Sequence, residues 1–244
     1  VPTNGRRVRV GFYGRQLVYG HSVWQTAIGF IEGLDPARFD VTVVMPGGAS
    51  RFAPSRPERS VRAVDVPGTL VEAREAIAAL ELDVLVHCEI GMDALGYALG
   101  FARLAPVQCV LMGHPVTTGI PNIDYFISGV PFEGPDADSH YSETLIQLST
   151  NFACFYPPQP PVRGLTREDF GLPTDRAVYL CPQTLFKIHP DFDAILASIL
   201  EQDRNGIAIL MPDNRSPEIG TLLMDRLAAA GVPRDRVSWV DRMP

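Results

Sequence analysis

Long apolar runs are missing. No stretch approaches the roughly 18 residues that a membrane-spanning helix needs, and the opening "VPTNGRRVRVGFYG" holds no apolar signal core. These absences lead to the expectation of a cytoplasmic chain with no membrane partner. A surplus of positive charge is missing too. The formal net charge is −7 over 244 residues, whereas nucleic-acid binders carry a basic face, so no nucleic-acid partner is expected. Cysteine is scarce. The four residues, Cys88, Cys109, Cys154 and Cys181, form no C-x-x-C pair. That speaks against zinc or a disulfide framework and for small buried hydrophobes. There is no repeat of fixed period, no low-complexity segment and no G-x-G-x-x-G fingerprint of dinucleotide binding.

The composition allows a real core. Hydrophobic residues make up 46% and charged residues 20%, as in an ordinary globular protein. Prolines (22) and glycines (21) fall mostly between the periodic segments and mark turns.

Strand-like and helix-like patterns alternate. "RVRVGFYG" (7–14), "FDVTVVMP" (39–46), "SVRAVDVP" (60–67), "DVLVHCEI" (83–90), "VQCVLMG" (107–113), "DYFISG" (124–129) and "ETLIQLS" (143–149) read as strands. Helices are expected over 23–34, 69–82 and 93–104, the second with Thr69 and Glu72 at capping-box spacing. This order predicts an α/β protein with a mostly parallel sheet covered on both faces. The proline cluster in "NFACFYPPQPPVRGLTREDFGLP" reads as a linker over 151–173, with "TREDFG" as a short helical turn. A second α/β pattern follows: strands at 177–182, 206–212 and 237–240, helices at 190–201 and 218–231. The expected domains are therefore 1–150, the linker 151–173, and a partial second lobe over 174–244. Three strands are few for a doubly wound sheet, which leads to the expectation that the chain is truncated at its C-terminus. A complete three-stranded lobe is the alternative.

Lys187 stands in "QTLFKIHPDFD", where a strand ends and a helix begins. A buried cation is costly there without a negative partner. Open α/β sheets bind ligands beyond the carboxyl ends of their strands, and helix starts suit phosphate. A phosphate would answer the charge; an ammonium snorkelling to water would equally well. Gln183 and Thr184, on the same loop, are able to bond a ligand or to satisfy the turn. "DFD" (191–193) has D-x-D metal spacing, yet acidic residues in a first helical turn simply favour the dipole. His21, in "GRQLVYGHSVW" after the first strand, is a candidate base or ligand donor. "MGHPVTTGIPNIDYF" (112–126) is either a ligand-approaching loop or a structural turn. His87 reads as a satisfied core histidine, Glu89 as a crevice residue, and His140 and His189 as surface or capping residues.

Taken together, "LAPVQCVLMGHPVTTGIPNIDYFIS", "GLPTDRAVYLCPQTLFKIHPDFD", "HYSETLIQL" and "VRVGFYG…GHSVWQ" resemble blocks of the O-GlcNAc transferase-like (SPINDLY-like) glycosyltransferases, in the family's order from about residue 7 to the end. Bacterial relatives, often joined to helical TPR repeats, are the nearer resemblance, and adjacent TPR repeats are implied for the full-length protein. The resemblance implies a GT-B fold of two Rossmann-like lobes. It implies inverting transfer from a UDP-sugar to a protein or glycan acceptor, with no metal and no cofactor beyond the donor itself. Lys187 would meet the donor diphosphate, with Gln183 and Thr184 on the same nucleotide-facing loop. Gly113, His114 and Thr117 would line the sugar side, and His21 would face the reaction centre.

Three departures accompany it. "GRQLVYGH" is one residue longer than the family loop. "HCEIGMD" replaces an asparagine-rich stretch. The later nucleotide-gripping blocks are absent, so the chain alone is expected to bind UDP poorly and to be inactive. A sugar-nucleotide epimerase and a non-catalytic scaffold on the same fold are the rival readings.

Overall fold

A computed structural model describes residues 5–56, 59, 61–149, 164–212 and 217–241. The chain divides into two units, Val1–Pro158 and Gln159–Pro244. Of the expected linker, residues 151–163 lie outside the described residues, as does Cys154; the remainder includes a 3-10 turn, Glu168–Phe170, within "TREDFG".

The first unit is a seven-stranded sheet in the order β3-β2-β1-β4-β5-β6-β7. Its strands are β1 (Val8–Tyr13), β2 (Phe39–Pro46), β3 (Arg62–Val66), β4 (Val84–His87), β5 (Val107–Leu111), β6 (Tyr125–Gly129) and β7 (Thr144–Leu148). Every pairing is parallel. Helices cover both faces, so the inner strands are apolar on both sides. Alternation along each strand divides the core in two. Phe12, Val43, Met45 and Val86 pack with Trp24, Ala27, Ile28 and Ile31 of α1 (Ser22–Gly33). Tyr13, Val44 and Leu85 point the other way, toward Ala73 and Ile77 of α2 (Leu70–Ala78) and Leu99 of α3 (Ala94–Gly100).

Two helices are shorter than expected. α2 stops at Ala78 because the chain must turn to reach β4. Leu80 and Glu81 N–H bond back three residues, Glu81 has φ 47°, and Leu82 enters the core. Asp83 is then held by both guanidinium nitrogens of Arg6, at 2.7 and 2.5 Å, and by the Arg9 N–H at 2.8 Å. α3 ends at Gly100 because buried Gln108 secures the next turn. It accepts from the Leu104 N–H at 3.0 Å and donates to the carbonyls of Ala102 and Asn122. The expected capping box does not form: the Thr69 hydroxyl donates to Glu72 Oε2 at 2.6 Å instead of accepting from the backbone.

The second unit has a parallel sheet in the order β10-β9-β8: β8 (Val178–Cys181), β9 (Ile207–Leu210) and β10 (Val237–Trp239). Leu196 and Leu200 of α4 (Asp191–Gln202) and Leu223 and Leu227 of α5 (Pro217–Ala229) pack on Tyr179, Ala208 and Leu210. The two acids of "DFD" have different surroundings. Asp191 is exposed beside His189, whereas Asp193 is buried and takes both Nε and Nη2 of Arg226, at 2.7 and 3.0 Å. Arg226 also donates to the Ile188 carbonyl at 2.8 Å, tying α5 to the turn before α4. Removing one partner of a buried pair strands the other charge. Asp193→Ala is expected to destabilise this unit by about 3 kcal/mol, read as a lower urea midpoint.

Cys88 and Cys109 are buried free thiols and Cys181 is half-buried and free. Burial pushes the Cys109 thiol up to about 11. No described helix is long and apolar enough to cross a membrane.

Candidate active site

The direction of the first sheet reverses between β1 and β4. From β1 the chain proceeds to β2 and β3 on one side; from β4 it proceeds to β5, β6 and β7 on the other. Loops leaving adjacent strands in opposite directions open a crevice at their carboxyl ends. The loops after β1, β4 and β5 surround it. The first carries His21, the second Glu89 and Asp93, the third Gly113, His114 and Thr117.

His21 is the N-cap of α1. Its Nδ1 accepts the Val23 N–H at 3.2 Å. A capping acceptor has a free lone pair, so the neutral ring carries its proton on Nε2. Partial burial lowers its pKa. The ring therefore keeps its N–H on Nε2 while Nδ1 is engaged. To act as a base through Nδ1, the ring would have to release this capping bond.

The β5–β6 loop is fixed from below. A Cβ on Gly113 would lie 2.0 Å from the Cys88 carbonyl oxygen, so only glycine allows this approach. Gly91, at φ 96°, leaves room for the His114 ring, whose Cδ2 would lie 2.8 Å from an added Cβ. His114 itself is exposed. The Thr117 hydroxyl donates to Glu143 Oε2 at 2.7 Å and accepts the Ser142 N–H at 3.0 Å. Glu143 also takes the Thr118 N–H at 2.8 Å and the Thr118 hydroxyl. These bonds hold the Glu143 carboxyl below its ordinary pKa against the opposing effect of burial. Glu143 was not singled out from the sequence; the "HYSETL" block contains it, but nothing local reveals that it clamps a loop 25 residues away.

His87 is not the satisfied core histidine expected. It is 1% exposed, and neither ring nitrogen has a partner among the described residues; the Tyr13 hydroxyl is also unpaired, with the two rings 5.8 Å apart. Burial pushes its pKa down to about 4. The unfolded ring protonates near 6.5. Between these values the unfolded chain binds more protons, so stability falls as pH falls from about 6.5 to about 4. The full effect is about 3 kcal/mol. Glu89, raised by burial, acts in the opposite sense. Denaturation curves of wild type and His87→Gln across this range should therefore diverge, the variant lacking the fall.

In the second unit, Gln183, Thr184 and Lys187 share the loop after β8. Lys187 is the only lysine among 21 Lys and Arg residues. It is exposed, which corrects the picture of a buried cation. The 3-10 turn Leu185–Lys187 has three residues per turn, so Leu185 and Ile188 face inward (3% and 6% exposed) while Phe186 and Lys187 face out. The ammonium lies 5.9 Å from the Phe186 ring centroid and meets no carboxylate among the described residues. Gln183 Oε1 accepts the Thr184 N–H at 2.8 Å, which engages the amide oxygen and not the NH2. The start of α4 is less open to anions than expected. His189 Nδ1 accepts the Asp191 N–H, the N–H groups of Phe192 and Asp193 bond back to His189 and Pro190, and two carboxylates sit in the first turn. Beside the loop lies a groove of about 360 Å³ whose walls include Leu185, Pro212, Gly220, Met224 and Trp239.

No protein-family model matches the chain. It is 32% identical over 145 residues, 56% of its length, to an Arabidopsis thaliana protein described as a probable UDP-N-acetylglucosamine–peptide N-acetylglucosaminyltransferase SEC, covering 14% of that protein. It is 42% identical over 55 residues, 22% of its length and 6% of the relative's, to the tomato (Solanum lycopersicum) protein described as the probable transferase SPINDLY. Among solved structures, a mutant of Thermobaculum terrenum O-GlcNAc transferase matches all of this chain and 46% of that one, at 26% identity and a TM-score of 0.75. The chain thus spans less than half the length of each of these relatives. In sequence and in fold it is O-GlcNAc transferase-like, with two α/β units of the GT-B kind.

Proposed function

We propose that the chain is part of a glycosyltransferase that moves a sugar from a UDP-sugar to a protein or glycan acceptor, with inversion and without a metal. The observation that carries this reading is Lys187. The only lysine of these 244 residues stands exposed beyond the carboxyl end of a strand, where open α/β sheets hold ligands, with no carboxylate to neutralise it among the described residues. The likeness to UDP-N-acetylglucosamine-dependent relatives supplies the anion: a departing nucleoside diphosphate. Trp239 lines the groove beside this loop, and it is an aromatic side chain of the kind nucleobases stack on.

In the step proposed, an acceptor hydroxyl or amide attacks the anomeric carbon of the sugar. The bond from that carbon to the diphosphate oxygen breaks, and UDP leaves with its electron pair. The acceptor's proton passes to a phosphate oxygen or to water. Lys187 stabilises the charge that grows on the diphosphate; preorganised charges of this kind contribute several kcal/mol. The Gln183 amide and Thr184 lie on the same loop, suited to orient the donor. Gly113 lets the β5–β6 loop pack against Cys88, and Gly113, His114 and Thr117 would line the sugar side. His21 contributes as a donor through Nε2–H, in keeping with its capping bond.

The test is a panel of UDP-sugars assayed with the protein expressed from its complete reading frame. Acceptor-dependent release of UDP is the expected result. Release of an isomerised sugar nucleotide without acceptor would replace the reading with epimerisation, and absence of UDP binding would replace it with a scaffold.

A further inference from the structure

The stretch "HCEIGMD" departs from the family pattern, and its buried acid has a definite task in this fold. Glu89 is 1% exposed. Its carboxylate receives two consecutive backbone N–H groups of the β1–α1 loop. Arg15 N–H donates to Oε1, and Gln16 N–H reaches Oε1 at 3.2 Å and Oε2 at 3.0 Å. A second bond ties the same loop to the same neighbour. Arg15 Nε donates to Asp93 Oδ1 at 3.1 Å, while Asp93 Oδ2 caps α3 through the Gly96 N–H at 2.8 Å. Leu17, fully buried, anchors the middle of the loop. His21 closes it as the cap of α1.

We propose that Glu89 is a positioning residue for His21: it fixes the first turn of the loop, and thereby the direction in which the imidazole N–H is presented. Both carboxylate oxygens are engaged and the side chain is shielded from water, so Glu89 acts through the loop and does not touch substrate. The proposal rests on the reading of His21 as the group that meets the substrate. Its geometric half, that Glu89 sets the state of the His21 ring, stands apart from that reading.

The experiment uses proton–nitrogen NMR of the imidazoles in wild type, Glu89→Ala and Glu89→Gln, with the His21 signals assigned by His21→Asn. Wild-type His21 should show the Nε2–H tautomer. In Glu89→Ala the ring should move to mixed tautomers as the capping bond to Val23 loosens. Glu89→Gln retains one acceptor oxygen and should show a smaller change; it also keeps the test alive if the alanine variant does not fold. In transfer assays kcat should fall by about tenfold to a hundredfold, the scale for misplaced catalytic geometry, with the donor KM within about twofold. An unchanged His21 spectrum in a folded Glu89 variant overturns the proposal, as does a loss seen in donor KM alone. If wild type transfers no sugar, the functional reading falls, and the His21 spectrum still decides for or against Glu89.

Discussion

Lys187→Ala is expected to lower turnover by about a hundredfold or more, the scale for losing one preorganised charge partner of a developing anion. The side chain is exposed and makes no ion pair among the described residues, so its removal should leave stability within about 0.5 kcal/mol. An activity loss would then report on chemistry and not on folding. Lys187→Arg keeps the charge but replaces a compact ammonium with a planar fork. It should recover part of the turnover and leave roughly a tenfold deficit. Near-normal turnover in Lys187→Ala would remove the central residue from the mechanism.

Gly113→Ala should have a large effect on the stability of the first unit. The added methyl would sit 2.0 Å from the Cys88 carbonyl oxygen and 3.3 Å from the Glu89 Cα. Both contacts are backbone, so no side chain is able to swing aside. Either the β4–α3 loop or the β5–β6 loop must move. Overpacking of this kind costs about 3 kcal/mol, which lowers Tm by about 6–12 °C for a unit of this size. The displaced loops are those that carry Glu89 and His114, so activity should fall with stability. A thermal midpoint within about 2 °C of wild type would show that the close approach is not required.

The strands are legible in the sequence because a sheet covered on both faces needs short continuous apolar runs, such as "VVM" and "IAIL". The parallel arrangement follows from their alternation with helices. Helix ends are less legible. α2 and α3 stop where Asp83 and Gln108 are bound by groups distant in the chain. The loop after β8 is legible as a strand-to-helix connection, but the outward direction of Lys187 is not: it depends on a 3-10 turn, whose three-residue period a strand-to-helix reading does not contain. The acids that organise the first unit are the least legible. Glu89 meets Arg15 across 74 residues, and Glu143 meets Thr118 across 25. No local spacing marks either pair.

One measurement bears directly on Lys187, the only lysine of these 244 residues. Reductive methylation with a carbon-13 label places a probe on Lys187 while leaving its charge in place, and the Lys187 signal is assigned by its absence from Lys187→Arg. Titration with UDP of the protein expressed from its complete reading frame should shift the Lys187 methyl resonance, with the same saturation curve that calorimetry gives for binding. UDP binding to that protein with an unmoved Lys187 signal would contradict the account.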